Sequence, residues 1–214
     1  MALIVRHLGS VEYSQSLSIQ EVLLSRKFAG DADDYLLILE HPPVYTLGRG
    51  ADEADLQGAP ERLGVPAIRT GRGGGATFHG PGQLVAYPIL SLSRPERDVH
   101  RYVRNLESVL IRTCDIFGVA GGVCEGAPGV WVDGAKIASI GVGLRRWTTF
   151  HGVALNVNTD LVHFASIVTC RMPNLRLTSL EQCLGKALSM AEVSRVFVES
   201  FCATFWRFPL SECA

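Results

Sequence analysis

A glycine-rich segment near the middle of the chain constrains the fold more than any other feature. Residues 72–83 hold five glycines and one proline between two apolar, strand-like runs at 66–70 and 84–90. Glycine admits positive φ and lets a ligand come close to the backbone, so this loop is predicted to surround a ligand with its N–H groups. The alternative is a long hairpin loop that binds nothing.

Two nucleotide-binding signatures can be tested against this segment. Residues 71–76 fit the dinucleotide pattern G-x-G-x-x-A. That pattern opens a helix, however, and Pro81-Gly82 argues against a helix at this point. The segment also lacks the lysine that a P-loop places at its end. We therefore treat the dinucleotide match as accidental.

Size and composition limit the classes of protein that the chain can form. With 214 residues, 47% of them hydrophobic, it can bury a full core, and a single domain over 1–214 is predicted. The net charge of −1 provides no overall field that would attract nucleic acid or an anionic membrane. No apolar run approaches the length of about 20 residues that spans a bilayer, and no secretory signal is recognised, so a cytoplasmic protein is predicted.

Hydrophobic periodicity predicts an α/β chain. Helices are expected over 13–29 and 95–117, and a third near the C-terminus, where Val193, Val196, Phe197, Phe201 and Phe205 form one stripe. Strands are expected over 35–39, 44–47, 66–70, 84–90, 130–132, 135–144 and 153–157. Asp133-Gly134 predicts a tight hairpin turn, and Thr178 to Glu181 and Ser189 to Glu192 each fit a capping box.

Six cysteines lack the spacing of a metal site or a redox pair, so they are predicted to be free thiols. Cys114 and Cys202 fall on apolar helix stripes and are interpreted as core residues. Cys170 has no periodic surroundings and a cationic neighbour, which makes it the candidate nucleophile.

A cysteine nucleophile needs a basic partner, because a thiol is only slightly ionised near neutral pH. Lys136 is one candidate, since lysine is unusual in an apolar strand. The alternative interpretation of Lys136 is an exposed residue that protects a sheet edge. His79 and His151 are rival partners, which would give a cysteine–histidine dyad of the protease or amidase type.

Ordered blocks over about residues 35–185 resemble the signature of the lipoyl/octanoyl transferase family. The blocks are Arg72-Gly73-Gly74 through Thr77, His79-Gly80-Pro81-Gly82-Gln83-Leu84, Tyr87-Pro88, Gly129-Val130-Trp131-Val132, Lys136-Ile137-Ala138-Ser139-Ile140-Gly141, His151-Gly152-Val153-Ala154-Leu155-Asn156-Val157, Thr159-Asp160-Leu161, Phe164, Ile167-Val168, Cys170 and Thr178-Ser179-Leu180. Their order and spacing are far more specific than any single motif.

The resemblance implies a mixed β-sheet with flanking helices, of the biotin/lipoate protein ligase catalytic-domain type. It implies that Cys170 forms an acyl thioester and that Lys136 lowers the pKa of this thiol. The acyl-binding residues that it implies are Arg72, Gly73, Gly74, Gly75, Ala76, Thr77, Phe78, His79, Ser139, Ile140, Gly141, Gly152, Val153 and Ala154. One departure stands out, because family members usually have glycine after this cysteine, where Arg171 stands here.

The activity implied by the resemblance is transfer of an octanoyl group from octanoyl-acyl carrier protein to a lysine of a lipoyl domain, the first step of lipoate biosynthesis. The acceptors would be the E2 subunits of 2-oxoacid dehydrogenases and the glycine cleavage H protein. No cofactor, no metal and no partner that is nucleic acid or membrane is implied. Two alternatives stay open: an ATP-dependent lipoate–protein ligase of the same fold, and a non-catalytic module that binds acyl carrier or lipoyl domains.

Overall fold

The computed structural model describes residues 2–168 and 175–207, which form five α-helices and nine strands joined by turns and short 3-10 helices. The helices are α1 (Tyr13–Phe28), α2 (Ala59–Leu63), α3 (Val99–Ile116), α4 (Leu180–Leu184) and α5 (Met190–Phe205). The strands are β1 (Leu3–Ser10), β2 (Asp34–Glu40), β3 (Val44–Leu47), β4 (Ala67–Arg69), β5 (Ala76–His79), β6 (Gln83–Ile89), β7 (Gly129–Val132), β8 (Ala135–Arg145) and β9 (Thr148–Asn156).

Six strands form a mixed sheet in the order β1-β2-β6-β9-β8-β7, in which only β1 and β2 run parallel. Alternate residues of β2 enter two different cores, as the period of a strand requires. Leu36 and Ile38 pack with α3 and α5, whereas Leu37 and Leu39 pack with α1 on the other face. The predicted fold class, a mixed sheet with flanking helices, is confirmed.

A second, smaller sheet has the order β4-β3-β5. In its core, Tyr45 and Phe78 pack with Phe164 and Ile167. The last two residues precede the stretch of chain that is not described. The strand β5 corrects the sequence analysis, because residues 76–79 were predicted to be loop. They are strand because they pair antiparallel with β3 along its whole length.

The structure also differs from the sequence analysis at several element ends. Strand β1 was not predicted. Strand β9 begins at Thr148, because Arg146 and Trp147 both take positive φ (53° and 59°) and close a tight hairpin without glycine. Helix α3 begins at Val99, and α4 is capped by Ser179, whose side chain accepts from Gln182 N–H, so Thr178 is not the cap.

A buried carboxylate ties three distant parts of the chain together. Asp34, at the start of β2, is fully buried and lies 3.2 Å from Lys27 Nζ on α1 and 2.9 Å from Arg207 Nε after α5. The backbone N–H of Ser91 also donates to it. Arg207 reaches Glu96 as well, at 3.0 Å, so the network is charge-paired throughout.

We expect Asp34→Asn to destabilise the fold strongly, because the amide leaves the buried Lys27 ammonium without its carboxylate and leaves Arg207 with Glu96 alone. Removing one partner of a buried ion pair costs about 3–5 kcal/mol. The control is Glu21→Gln, the same acid-to-amide change in the exposed Arg145–Glu21 pair, which should cost less than about 1 kcal/mol. Urea unfolding followed by circular dichroism measures both, and equal midpoints for the two variants would refute the argument.

Candidate active site

The glycine loop crosses directly over strand β8. Gly73 N–H donates to Val142 O at 2.9 Å, which fixes the loop to the strand. At Gly141 a Cβ atom would stand 3.0 Å from Arg72 Cδ and 3.1 Å from Gly73 O. The opposite glycine, Gly152, pairs with Gly141 in the sheet. The close approach of loop and strand therefore depends on the absence of a side chain at Gly141.

Arg72 fixes the shape of the loop from inside. Its guanidinium donates to Thr46 O at 2.7 Å, to Thr46 Oγ1 at 2.8 Å and to Gly73 O at 3.0 Å. The side chain is buried, and so its charge lies against the carbonyl dipoles of strand β3 and of the loop itself. This binding links the loop to the small sheet.

A narrow slot of about 40 Å³ lies between the loop and the central strands. All but two of the predicted acyl-binding residues line it, and three further residues, Tyr13, Tyr87 and His151, complete the wall. The predicted residues in the wall are Arg72, Gly74, Gly75, Ala76, Thr77, His79, Ser139, Ile140, Gly141, Gly152, Val153 and Ala154. The structure thus brings three separate sequence blocks together around one slot.

The two remaining predicted residues lie beside the slot. Gly73 lines a second cavity that adjoins it. The Phe78 side chain is buried in the core of the small sheet, where its ring stacks on His163 with a centroid distance of 4.4 Å. A direct role for either residue in ligand binding stays a prediction.

A second cavity, of about 460 Å³, adjoins the slot and is lined by Lys136. The two share Gly74, Gly75, Ile140 and Gly141 in their walls. Gly126, Ala127 and Pro128 line the cavity on the side of strand β7. Lys136 therefore lies in a cavity that borders the slot directly.

Lys136 is buried, with only 3% of its surface exposed. Its ammonium lies 5.4 Å from the centre of the Trp131 ring, and its aliphatic stem lies so close to Gly129 that a Cβ there would stand 2.6 Å from Lys136 Cε. Strand β8 lies inside the sheet and β7 forms its edge. The interpretation of Lys136 as an exposed edge residue is therefore wrong.

Behind the wall of the slot, hydrogen bonds define the tautomer of His41, which contacts Tyr87 of the wall. His41 Nδ1 lies 2.6 Å from Val11 O, which can only accept, so Nδ1 carries the proton. Burial lowers the pKa of His41 to about 4, so the ring is neutral at pH 7. Nε2 therefore accepts from the Tyr87 hydroxyl at 2.8 Å. Tyr87 is in turn hydrogen-bonded to Tyr13.

Burial also keeps His79 and His151, the two histidines that line the slot, neutral. It lowers the pKa of His79 well below the usual value and that of His151 to about 4. His79 Nδ1 donates to Gln83 Oε1 at 2.7 Å, because the Gln83 amide nitrogen is used to donate to Asn156 Oδ1 at 2.9 Å. Both rivals to Lys136 line the slot, and neither lines the cavity that holds Lys136.

Cys170 lies outside the described residues, but the chain on both sides of it is described. Before it, Val168 N–H donates to Asp55 O at 2.7 Å. After it, Arg176 O accepts from Lys136 N–H at 2.8 Å, and Thr178 N–H donates to Lys136 O at 3.1 Å. The main chain of Lys136 is thus bound to residues six and eight positions beyond Cys170.

Tyr13 is the one residue of the slot that the sequence analysis passed over entirely. It is the first residue of helix α1, and its position there is typical of an ordinary apolar residue. It lies 59 positions before Arg72 in the sequence. Its exposure of 1% gives no local sign of a polar role. Only the packing of α1 against the sheet brings its hydroxyl to Arg72, Thr70 and Tyr87.

The described part of the chain contains neither a cluster of metal-binding side chains nor a membrane-spanning helix. Among residues 2–168 and 175–207, no group of three or more histidine, cysteine, aspartate or glutamate side chains is placed to hold a metal ion. No helix within those ranges combines the length and the apolar character needed to cross a membrane.

Comparison with known proteins identifies relatives over nearly the whole chain. The family model described as lipoyl protein ligase A/B catalytic domain matches residues 12–202. An octanoyltransferase from Geobacter metallireducens is 46% identical over 193 residues, which cover 90% of this chain and 89% of that protein.

Solved structures share the fold at much lower identity. A bi-partite lipoate protein ligase from Thermoplasma acidophilum, whose study includes its E2 lipoyl domain, superposes with a TM-score of 0.78 at 17% identity and covers 99% of this chain and 88% of that one. Lipoate-protein ligase A bound with ATP gives 0.77 at 17% identity, with coverage of 99% and 87%. These structures confirm the predicted fold type and, at this identity, the fold alone.

Proposed function

The chain belongs to the lipoyl protein ligase A/B catalytic-domain family and, within it, to the octanoyltransferases, and we propose that it transfers the octanoyl group through a thioester on Cys170. It is an acyltransferase of lipoate biosynthesis. The donor that we propose is octanoyl-acyl carrier protein, and the acceptor is a lysine of a lipoyl domain, on E2 subunits or on the glycine cleavage H protein. We further propose that residues 1–214 act as one catalytic domain.

One observation carries the proposal. A buried lysine stands in a cavity that borders a slot, and the slot is lined by almost all the residues that the family resemblance assigns to acyl binding. A C8 tail in this slot would contribute about 5 kcal/mol of binding, at about 0.8 kcal/mol per buried methylene. The thioester carbonyl would then lie in the cavity of Lys136.

The position of Cys170 in the sequence supports its pairing with Lys136. The chain returns to the main chain of Lys136 within six residues of Cys170. On the other side, Val168 is held by Asp55 in the turn that follows strand β3. Lys136 lines the cavity of the proposed site, and this attachment six residues after Cys170 supports the proposed pairing of the thiol with the lysine.

The first half of the proposed reaction acylates the enzyme. A nearby ammonium favours the thiolate, so Lys136 lowers the pKa of Cys170. The thiolate attacks the thioester carbonyl, and the bond to the pantetheine sulfur breaks. Backbone N–H groups of the glycine loop stabilise the oxyanion. The departing thiolate takes a proton from Lys136, which leaves the lysine as a neutral amine.

The second half transfers the acyl group. The acceptor lysine attacks the acyl-cysteine, and Lys136, now an amine, accepts the proton that the attacking nitrogen loses. An amide forms, the carbon–sulfur bond breaks, and the Cys170 thiolate and Lys136 ammonium are regenerated. No nucleotide enters either half.

The two alternatives are weaker. The fold does not separate a transferase from an ATP-dependent ligase, since a ligase with ATP shares it. A curated relative at 46% identity is an octanoyltransferase, and that favours transfer from a thioester donor. A non-catalytic binding module would have no need of a buried lysine in the acyl cavity. The cytoplasmic location stays a prediction.

The test is intact-mass analysis after mixing the protein with octanoyl-acyl carrier protein in the absence of ATP. We expect the mass to rise by one octanoyl group and to return to its original value under hydroxylamine, which cleaves thioesters. Free octanoate with ATP should give no such adduct. Octanoylation of an added lipoyl domain by octanoate and ATP would instead identify a ligase, whose acyl-adenylate forms no bond to the enzyme. Neither an adduct on the protein nor transfer to the lipoyl domain in either mixture would indicate a binding module.

A further inference from the structure

The walls of the slot differ in chemistry. One part borders the cavity of Lys136, and another part is a polar cap, which we define as Tyr13, His79, Tyr87 and His151. All four line the slot and none lines the cavity of Lys136. Each is at most 6% exposed. An apolar acyl tail that enters from Lys136 therefore meets four polar rings in the slot.

The cap lies near the junction of the slot with the cavity of Lys136. Gly141 lines both spaces and pairs with Gly152, the neighbour of His151. Lys136 and Gly141 are five residues apart on β8, which corresponds to about 17 Å at about 3.4 Å per residue. The seven C–C bonds of an octanoyl group span about 9 Å, given a C–C bond of about 1.5 Å in a zigzag chain. A chain that starts beside Lys136 therefore has to cross the cavity before its end can meet the cap.

The cap cannot yield easily to a longer chain. The rings of Tyr13 and His79 stack at 5.8 Å, and both lie within 6 Å of the His41 ring. His151 has a φ of 53° and is held there by the hydrogen bond from its backbone N–H to Gln20 Oε1 at 2.7 Å. These contacts fix the rings in place.

One buried nitrogen of the cap lacks a hydrogen-bond partner among the described residues. His151 Nδ1 is buried and has no hydrogen-bond partner among the described residues, and the same holds for Gln20 Nε2. Buried polar atoms are nearly always satisfied by protein or by ordered water. A water at the cap would satisfy His151, and an acyl chain that reached the cap would have to displace it.

We propose that the polar cap sets the acyl chain length, with His151 as the residue that rejects chains longer than octanoyl. The inference rests on the proposed function, because it assumes that the slot receives the acyl tail. A methylene that enters the cap takes the place of a water at His151 Nδ1 and offers this nitrogen no hydrogen bond. That loss exceeds the gain from burying one methylene.

The test is a competition among carrier proteins loaded with C6, C8, C10 and C12 chains, read as the ratio of acyl adducts by intact mass. The wild-type protein should favour C8 over C12. His151→Leu removes both ring nitrogens, and we expect the ratio of C12 to C8 adducts to rise about tenfold. Tyr13→Phe, which removes one hydroxyl, should raise it in the same direction by a few-fold. Because both chains compete for the same enzyme, the ratio of C12 to C8 adducts reports chain-length selection and is not changed by a general loss of activity.

The matched control is His151→Asn, which shortens the side chain, keeps it polar and tolerates the positive φ. Its ratio should stay near that of the wild type. An equal rise in His151→Leu and His151→Asn would identify a steric stop and overturn the proposal, as would unchanged ratios in His151→Leu and Tyr13→Phe. Acylation of the wild type without chain-length preference would refute the cap alone, whereas no acylation by any chain would refute the proposed function.

Discussion

Cys170→Ser should abolish the octanoyl adduct and lower transfer to a lipoyl domain by about four orders of magnitude. The hydroxyl of serine is far less acidic than a thiol, so a neighbouring ammonium does not ionise it near neutral pH. The loss should appear in intact mass after exposure to octanoyl-acyl carrier protein, and in a gel-shift assay of the acceptor domain.

Cys124→Ser is the matched control for this variant. Cys124 is a free, exposed cysteine that lines neither the slot nor the cavity of Lys136, so its loss should leave the adduct intact. If Cys170→Ser still carried a hydroxylamine-labile octanoyl group, the nucleophile would have to be another thiol, and the assignment of Cys170 would be wrong.

Lys136→Met should lower transfer by about a thousandfold and shift alkylation of Cys170 by iodoacetamide to higher pH. Methionine fills a similar volume but removes the cation that favours the thiolate, so the pKa of Cys170 should rise. The sign follows from the charge: a cationic neighbour lowers a thiol pKa, and its removal extends the protonated range upward. The rate of alkylation against pH measures the change directly.

Lys136→Arg separates the two roles that we assign to this lysine. A guanidinium keeps the positive charge, so Cys170 should be alkylated at nearly the same pH as in the wild type. It cannot give up its proton near neutral pH, however, so transfer to the acceptor should still fail. Identical alkylation profiles in the wild type and both variants would show that Lys136 has no influence on the thiol.

Much of the fold was predictable because its elements are encoded locally. Helix α1, the hairpin turn at Asp133-Gly134 and the Ser189 cap follow from spacing and turn chemistry over a few residues, and the structure has them where they were expected. Strand β5 was missed because its glycine-rich surroundings carry no strand signal. Only pairing with the distant β3 makes these residues extended.

The residues of the site also fall into two groups, those predictable from local sequence and those that depend on tertiary packing. Its backbone-rich walls were predicted from sequence blocks, because close approach requires glycine at positions such as Gly141. Of the polar cap, His79 was predicted to bind the acyl group and His151 was a candidate partner of the thiol. Tyr13 and Tyr87 were given no role at the site, since they resemble ordinary core aromatics in sequence. Whether a buried hydroxyl serves a core or a ligand depends on what packing places beside it, and that information is tertiary.

The ion pair between Asp34 and Arg207 spans 173 residues of chain. During synthesis, strand β2 leaves the ribosome long before its last cationic partner exists, at rates of about 5–20 residues per second. Until then Asp34 has only Lys27 to balance its charge in the growing sheet. A chain that ends before Arg207 therefore keeps a buried carboxylate with only one of its two cationic partners, and we expect it to be less stable than a chain that includes Arg207.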